Sequence, residues 1–353
     1  MSAREIAGRR PRLIRFEAAG DSRLWCSCGR SANQPFCDGS HKDTGFTPIR
    51  IVARSAGEEA LLCLCKRTKS PPYCDGSHNA IGSYEGEEGD SAIDWRGAME
   101  AARAERSPGR VDLDGGCHVL TAREMQWKEM GGWRVVSAIS KAEGAGNLSL
   151  QLLEPLAEGP DAVGFGSSET ALFIVSGDAV IEIGDRRFGA TTHAAVFLKP
   201  GERFRAKSAS ASRLLIAATV CPPAALQFWH DAGSFDDRSP SRVSAPDDAE
   251  RRAMGERYYQ VLTSPDAGGT EITLFIGAIP KSRAAPHRHL YEEALIILSG
   301  AGVMWTENRK CNVSAGDIIY LPRKQLHSLE CVSAEGMVLA GAFYPAGSPA
   351  INY

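Results

Sequence analysis

One cysteine–histidine pattern occurs twice early in this chain and constrains its folding more than any other feature. Cys26-Ser27-Cys28 is followed by Cys37-Asp38-Gly39-Ser40-His41, and Cys63-Leu64-Cys65 by Cys74-Asp75-Gly76-Ser77-His78. Corresponding residues lie 37 positions apart, from Cys26 to Cys63 as from His41 to His78. Six of the ten cysteines are used in this way. Three thiolates and one imidazole are borderline-soft ligands, suited to zinc or to an iron–sulfur cluster. Ligand composition alone does not choose between them.

The residues between the ligands do. Each unit reads Cys-x-Cys, then Ser31 or Thr68, then Pro35 or Pro72, then Phe36 or Tyr73, then Cys-Asp-Gly-Ser-His. Over roughly residues 10 to 80 the chain resembles the CDGSH iron–sulfur family in its tandem, two-motif form. The resemblance implies two [2Fe–2S] clusters, one on Cys26, Cys28, Cys37 and His41, the other on Cys63, Cys65, Cys74 and His78. A neutral imidazole in place of a fourth thiolate raises a cluster's reduction potential. It also makes cluster retention sensitive to acidification below about pH 6, because a protonated imidazole cannot ligate.

The chain of 353 residues has room for two or three domains. Its net charge of −3 gives no basic excess, so neither nucleic acid nor an anionic membrane is an expected partner. The apolar runs are strand-sized, well short of the roughly 20 residues of a membrane helix. The segment Met1 to Arg15 is rich in arginine without the apolar core of a secretory signal. Thiolate-bound clusters fit a reducing compartment, so the expected location is cytoplasmic.

Residues 1–80 are read as the tandem cluster domain and 81–119 as a linker with a short helix around Trp95 to Arg106. From about Leu120 short β-rich runs alternate with Gly, Pro, Asp and Ser turns, as in sandwiches and barrels. A polar stretch at 234–254 separates two such segments, 120–233 and 255–353. These resemble each other: Ala171–Gly177 parallels Ala294–Gly300, and Ala195–Pro200 parallels Ile318–Pro322. The expected fold is mainly β, two small barrels behind the cluster domain.

The second barrel segment holds His287-x-His289-x-x-x-Glu293, then Gly300, Gly316-Asp317, Pro322 and His327. This resembles the cupin superfamily, whose barrels are double-stranded β-helices of jelly-roll type. The chain is thus identified as a bicupin, and the resemblance implies a mononuclear metal held by His287, His289, Glu293 and His327. Shared parity independently predicts that positions 287, 289 and 293 face the same side if the segment is extended. Arg288 and Glu292 then face outward. Fe(II) is the first choice; Mn, Ni, Cu and Zn are alternatives. Tyr291, Met304, Trp305, Tyr320 and Gln325 are candidates for lining a pocket. Alignment of the two segments puts Gly164, Gly166, Thr170 and Arg205 of the first barrel opposite the four ligands, so no metal is expected there. Cys117-His118 reads as structural or incidental, Cys221, Cys311 and Cys331 as strand or core thiols, and His193 and His230 as partnerless residues in turns.

Two one-electron carriers and one open mononuclear site in a single chain predict an iron-dependent oxygenase or oxidase of a small polar molecule. The catalytic centre would be His287, His289, Glu293 and His327, fed by the clusters from an external reductase or ferredoxin. A homodimer is compatible with both resemblances. The alternatives are a non-redox bicupin hydrolase or isomerase with regulatory clusters, a redox or metal sensor, and a cluster donor. No phosphate-binding Gly-rich loop or Gly-x-Ser-x-Gly elbow competes with these readings.

Overall fold

The computed structural model describes residues 4–53, 56–68, 71–74, 77–78, 105–107, 109–156, 160–254, 256–263, 269, 271–284 and 286–350. The described residues form strands, 3-10 turns and loops, grouped into two units, 1–94 with 348–353, and 95–347. No described helix is long and apolar enough to cross a membrane.

The first unit contains β1 (Arg12–Arg15), β2 (Ser22–Trp25), β3 (Ile49–Val52) and β4 (Glu59–Leu62). Strand β1 pairs antiparallel with β4, and β2 with β3. Each sheet is only two strands wide, and such ribbons are marginal alone. Phe16, Trp25, Ile51 and Leu62 form a small shared core with Cys63 and Cys65. Strands β2 and β4 each run directly into a Cys-x-Cys, so the repeat in sequence becomes a repeat in structure.

The second unit is two barrels. The first joins a seven-stranded and a five-stranded sheet, the second a nine-stranded and a three-stranded sheet. The internal repeat is carried in register. Thr170 pairs with Leu198 and Val220, and Glu293, 123 positions later, pairs with Leu321 and Phe343 at the same offset. Period-2 alternation divides the buried residues of the first barrel. Leu172, Ile174, Val196, Ile216 and Ala218 fill its interior. Ala171, Phe173, Ala195 and Ala217 instead join Ala294, Ile296, Ile318 and Ala340 in a core between the barrels. With both faces buried, these strands read as continuous apolar runs.

Described parts of both segments expected to be linkers pair with barrel strands. The helix expected around Trp95 to Arg106 falls at residues 95–104 outside the described residues, but Glu105–Ser107 is a strand. It continues through Arg110–Asp112 to His118–Thr121, which adds to the edge strand Asp317–Leu321 of the second barrel. Reciprocally, Val243–Ser244, within the 234–254 stretch, pairs with Ala195–Leu198 of the first barrel. Each barrel thus takes an edge strand from the segment preceding the other. Exposed edges are costly in sheets, and capping them drew polar, turn-rich sequence into strands.

Candidate functional site

The cysteine loops are built the same way twice. Phe36 bridges Trp25, and Tyr73 bridges Leu62. The amide of Cys26 donates to Pro35 O at 2.8 Å and that of Cys63 to Pro72 O at 3.0 Å. The amide of Cys37 donates to Leu24 O at 2.7 Å and that of Cys74 to Leu61 O at 2.9 Å. Ser31 Oγ donates to Phe36 O and Thr68 Oγ1 to Tyr73 O, at 2.6 and 2.7 Å. The Ser/Thr, Pro and aromatic positions of the motif are therefore the struts of the loop.

These struts place the donors in pairs. Cys26 Sγ lies 3.6 Å from Cys28 Sγ, and Cys37 Sγ 3.1 Å from His41 Nδ1. In the second loop Cys63 Sγ lies 3.5 Å from Cys65 Sγ, and Cys74 Sγ 3.2 Å from His78 Nδ1. Backbone amides of Arg30, Gly39 and Arg67 donate to Cys28, Cys37 and Cys65 sulfurs, each at 3.4 Å, and Gln34 Nε2 donates to Cys26 Sγ at 3.3 Å. Such donors favour anionic sulfur. The hydrogen bond between Cys65 and Cys63 holds the Cys63 thiol down at about 6 and pushes Cys65 up. Asp38 braces its turn by accepting from the amides of Ser40 at 3.0 Å and Ala32 at 2.8 Å. Hydrogen bonds from Ser40 hold its carboxyl well below the usual range.

In the second barrel His289, Glu293 and His327 converge, their donor atoms all within 4.8 Å and all three buried. Among the described residues no other three such donors gather in this way. Glu293 projects inward from the strand Glu292–Ser299, as its parity predicts. His287 and His289 lie in the loop before that strand, so strand alternation does not position them. His287 is held by a two-way backbone bridge to His327, at 3.0 and 3.1 Å. Its half-buried ring has its centroid 4.4 Å from that of His327 but is not part of the converging trio.

The tautomers follow from the acceptors. His289 Nδ1 lies 2.9 Å from Tyr291 O and His327 Nδ1 2.9 Å from Gln325 O. A carbonyl can only accept, so each Nδ1 carries a proton and each Nε2 is the atom turned to the site. Burial, reinforced by His287 and His289, pushes His327 well below the ordinary imidazole value. His289 Nε2 sits 3.1 Å from Glu293 Oε2 and yet has no hydrogen-bond partner. A buried imidazole nitrogen and a carboxylate oxygen this close need a proton or a metal cation between them. The donor set therefore fits a divalent ion.

Around the trio, Tyr291 stacks on His289 with ring centroids 3.9 Å apart, and on Phe343 at 4.0 Å. Burial raises the Tyr291 hydroxyl well above its usual value. The other pocket candidates have structural engagements. Trp305 Nε1 donates to Glu330, Tyr320 Oη to Gly144 O at 3.2 Å, and Gln325 Nε2 to Leu326 O at 2.9 Å. Glu292 does not face outward. It is buried and accepts amides from Gly146 to Leu148 of the first barrel. Parity put it opposite Glu293, and that side is the interface between barrels, not solvent. Arg288 is half-buried with its guanidinium 3.4 Å from Glu307. In the first barrel Thr170 is buried between Leu198 and Val220, Gly166 takes a turn at φ +62°, Gly164 ends a strand and Arg205 donates to His230 O.

Sequence reasoning passed over three groups. Cys117 and His118 are wholly buried, which is the structural of the two readings given above. His230 has a surface partner in Asp161 at 3.1 Å. Lys66, 1% exposed, lies inside the first unit. Its sequence signal is a mismatch in the repeat, since Lys66 stands where the first motif has Gly29.

Two linked jelly-roll barrels, one with an inward His–His–Glu group, give the second unit a bicupin-like fold, and a unit of paired cysteine–histidine loops precedes it in sequence. Residues 276–341 match the family described as "Cupin domain", and residues 5–42 the family described as "Iron-binding zinc finger CDGSH type". The chain carries both domains.

The chain is 54% identical over 44 residues to "CDGSH iron-sulfur domain-containing protein 3, mitochondrial" of Mus musculus, covering 12% of this chain and 32% of that protein. It is 35% identical over 65 residues to an uncharacterized protein of Methanocaldococcus jannaschii, covering 18% and 52% respectively. The chain thus spans about a third to a half of the length of these curated relatives. Among solved structures, an oxalate decarboxylase formate complex from Lactobacillus farciminis aligns with TM-score 0.54 at 13% identity, over 70% of this chain and 90% of that one. The protein Ylba from E. coli aligns with TM-score 0.51 at 17% identity, over 70% and 96%. At such identities the likeness establishes the fold alone.

Proposed function

We propose that this protein is an iron-dependent oxygenase or oxidase of a small polar molecule, with two [2Fe–2S] clusters that deliver electrons to a mononuclear iron. The observation that carries the reading is the way the donors are grouped. A single tetrahedral zinc would draw all four ligands of a motif to within about 4 Å of one another. Here each motif offers two close pairs, one thiolate–thiolate and one thiolate–imidazole, and no convergent group of three. Two pairs suit the two irons of a rhombic cluster. His289, Glu293 and His327 converge as one ion requires, with His287 beside them as the fourth donor.

When bound, the mononuclear iron would supply Lewis acidity and oxygen activation, and the clusters one electron each. The chain's own part is to fix geometry. Tyr291 O and Gln325 O hold the two imidazoles by Nδ1, the Tyr291 ring packs against His289, and burial keeps His327 neutral. An external reductase or ferredoxin is the proposed electron source, and a cytoplasmic, homodimeric protein the proposed setting.

Protein purified without air is expected to hold about five irons and four sulfides per chain. After reduction, exposure to O₂ should reoxidise the clusters much faster in the wild type than in His289→Ala. Equal rates in the two would end the relay reading. Turnover of a substrate without O₂ by cluster-free protein would instead assign a non-redox bicupin enzyme.

A further inference from the structure

A lysine inside a protein needs a negative partner, because desolvating an unpaired ammonium costs several kcal/mol. Lys66 is 1% exposed, and no carboxylate pairs with it among the described residues. Its Nζ donates to Cys63 O at 3.0 Å and lies 4.5 Å from the centre of the Trp25 ring. Trp25 Nε1 donates to the same Cys63 carbonyl at 2.9 Å. Trp25 directly precedes Cys26 of the first motif, whereas Cys63 opens the second. The ammonium therefore sits at the seam where the two cysteine loops touch. Burial lowers the Lys66 pKa below its ordinary value, and the sulfurs that oppose that shift, those of Cys26, Cys63, Cys28 and Cys65, are drawn from both loops.

The backbone supplies a second, independent observation. Lys66 adopts φ +59°, the left-handed region, where a non-glycine residue costs roughly 1 kcal/mol. The equivalent residue of the first motif is Gly29, at φ +88°. The turn after Cys-x-Cys thus demands a positive φ in both loops, and glycine is the low-strain solution. At Gly29 a side chain is also excluded sterically, since a Cβ there would lie 1.9 Å from Glu5 O. The second loop instead carries a strained, fully buried cation at this position.

We propose that Lys66 is a shared countercharge for the two cysteine–histidine centres, a positioning residue that raises the reduction potentials of both. The inference rests on the cluster reading given above. With three thiolates, a neutral imidazole and two sulfides, a diferric centre carries one negative charge and its one-electron reduced form two. Each centre gains one electron from an external donor and loses none of its ligands. A fixed ammonium at the seam favours the more negative form of either, and in a dry site that attraction is poorly screened.

The experiment is a mediated spectroelectrochemical titration of the full chain, after iron and sulfide analysis of each preparation. Lys66→Met keeps the length of the side chain and removes its charge. It should make reduction of both centres about tenfold less favourable, a fall of about 59 mV for a one-electron couple. Lys66→Arg should stay near the wild type. Arg67→Gln removes an exposed neighbouring charge and should shift the potentials far less. If Lys66→Met fails to hold clusters while Lys66→Arg holds them, the countercharge is needed for assembly, which also supports the proposal. Full cluster content with unmoved potentials in Lys66→Met overturns it, as does an equal shift in Arg67→Gln or loss of clusters in both Lys66 variants. Wild-type protein without iron and sulfide would overturn the cluster reading itself, and this inference with it.

Discussion

Glu292 and Asn147 join the two barrels. The Glu292 carboxylate accepts the Asn147 side-chain amide at 2.8 Å, together with the backbone amides of Gly146 and Asn147 at 3.1 Å and of Leu148 at 3.3 Å. The relationship is reciprocal. Glu169, 123 positions earlier, accepts the backbone amides of Glu271 and Ile272 at 3.0 Å from the second barrel's side. Glu292→Ala leaves several buried donors unpaired and should cost about 3 kcal/mol. Denaturant unfolding should show a lower midpoint, while Glu292→Gln, which retains an acceptor oxygen, should lose less.

A second buried carboxylate ties the 234–254 stretch to the first barrel. Arg242, fully buried, donates to Glu202 at 2.6 and 2.9 Å and to the carbonyls of Phe197, Ser239 and Asp236. Glu202 also accepts the amides of Lys199 and Asp236. Arg242→Ala would leave an uncompensated charge and should destabilise by about 3–5 kcal/mol. The double variant Arg242→Met, Glu202→Leu should recover part of that loss. Thermal unfolding of the three proteins measures the difference, and a surface linker would show none.

His118 makes stability depend on pH. It is fully buried, packs on Tyr320 at 5.0 Å, and bonds through Nδ1 to Gly116 O at 3.1 Å, while its Nε2 is unpartnered. Burial, helped by Arg110, lowers its pKa below the ordinary 6.5. The unfolded chain therefore takes up a proton near pH 6.5 that the folded chain refuses. The stabilisation is complete above that pH and is lost as pH falls below it, by at most about 1.4 kcal/mol per pH unit. Urea midpoints at about pH 7.5 and 5.5 should separate more in the wild type than in His118→Phe.

The spacing of the cysteine motifs and of the barrel landmarks was enough to read the mainly β fold class, the repeat and the inward face of Glu293. What it could not convey was the second buried surface. Alternation assigns Glu292 to the side opposite Glu293, but only the packing of one barrel on another turns that side into interior. The same cause hid Cys117 and His118, whose strand is claimed by the edge of a barrel some 200 residues further along the chain. His287 and His289 share parity, but they lie in a loop, where backbone bridging to His327 and the carbonyl of Tyr291 set their placement instead. Lys66 was legible only as a mismatch with Gly29, and its importance needed the burial.

The trio and its neighbour are expected to differ in how tightly they hold the ion. His289, Glu293 and His327 are buried and convergent, and both histidines of the trio are fixed through Nδ1. His287 is half-buried and stands outside the group. Outer partners alone are worth about 10–100-fold in metal affinity, and a direct ligand is worth more. His289→Ala and Glu293→Gln should thus lower affinity for the mononuclear metal by more than about 100-fold, and His287→Ala by less. All three should keep the visible absorbance of the cysteine centres, whose ligands they do not touch. Competitive chelator titration followed by metal analysis measures the order, and a His287→Ala loss as large as that of His289→Ala would make the four donors equivalent.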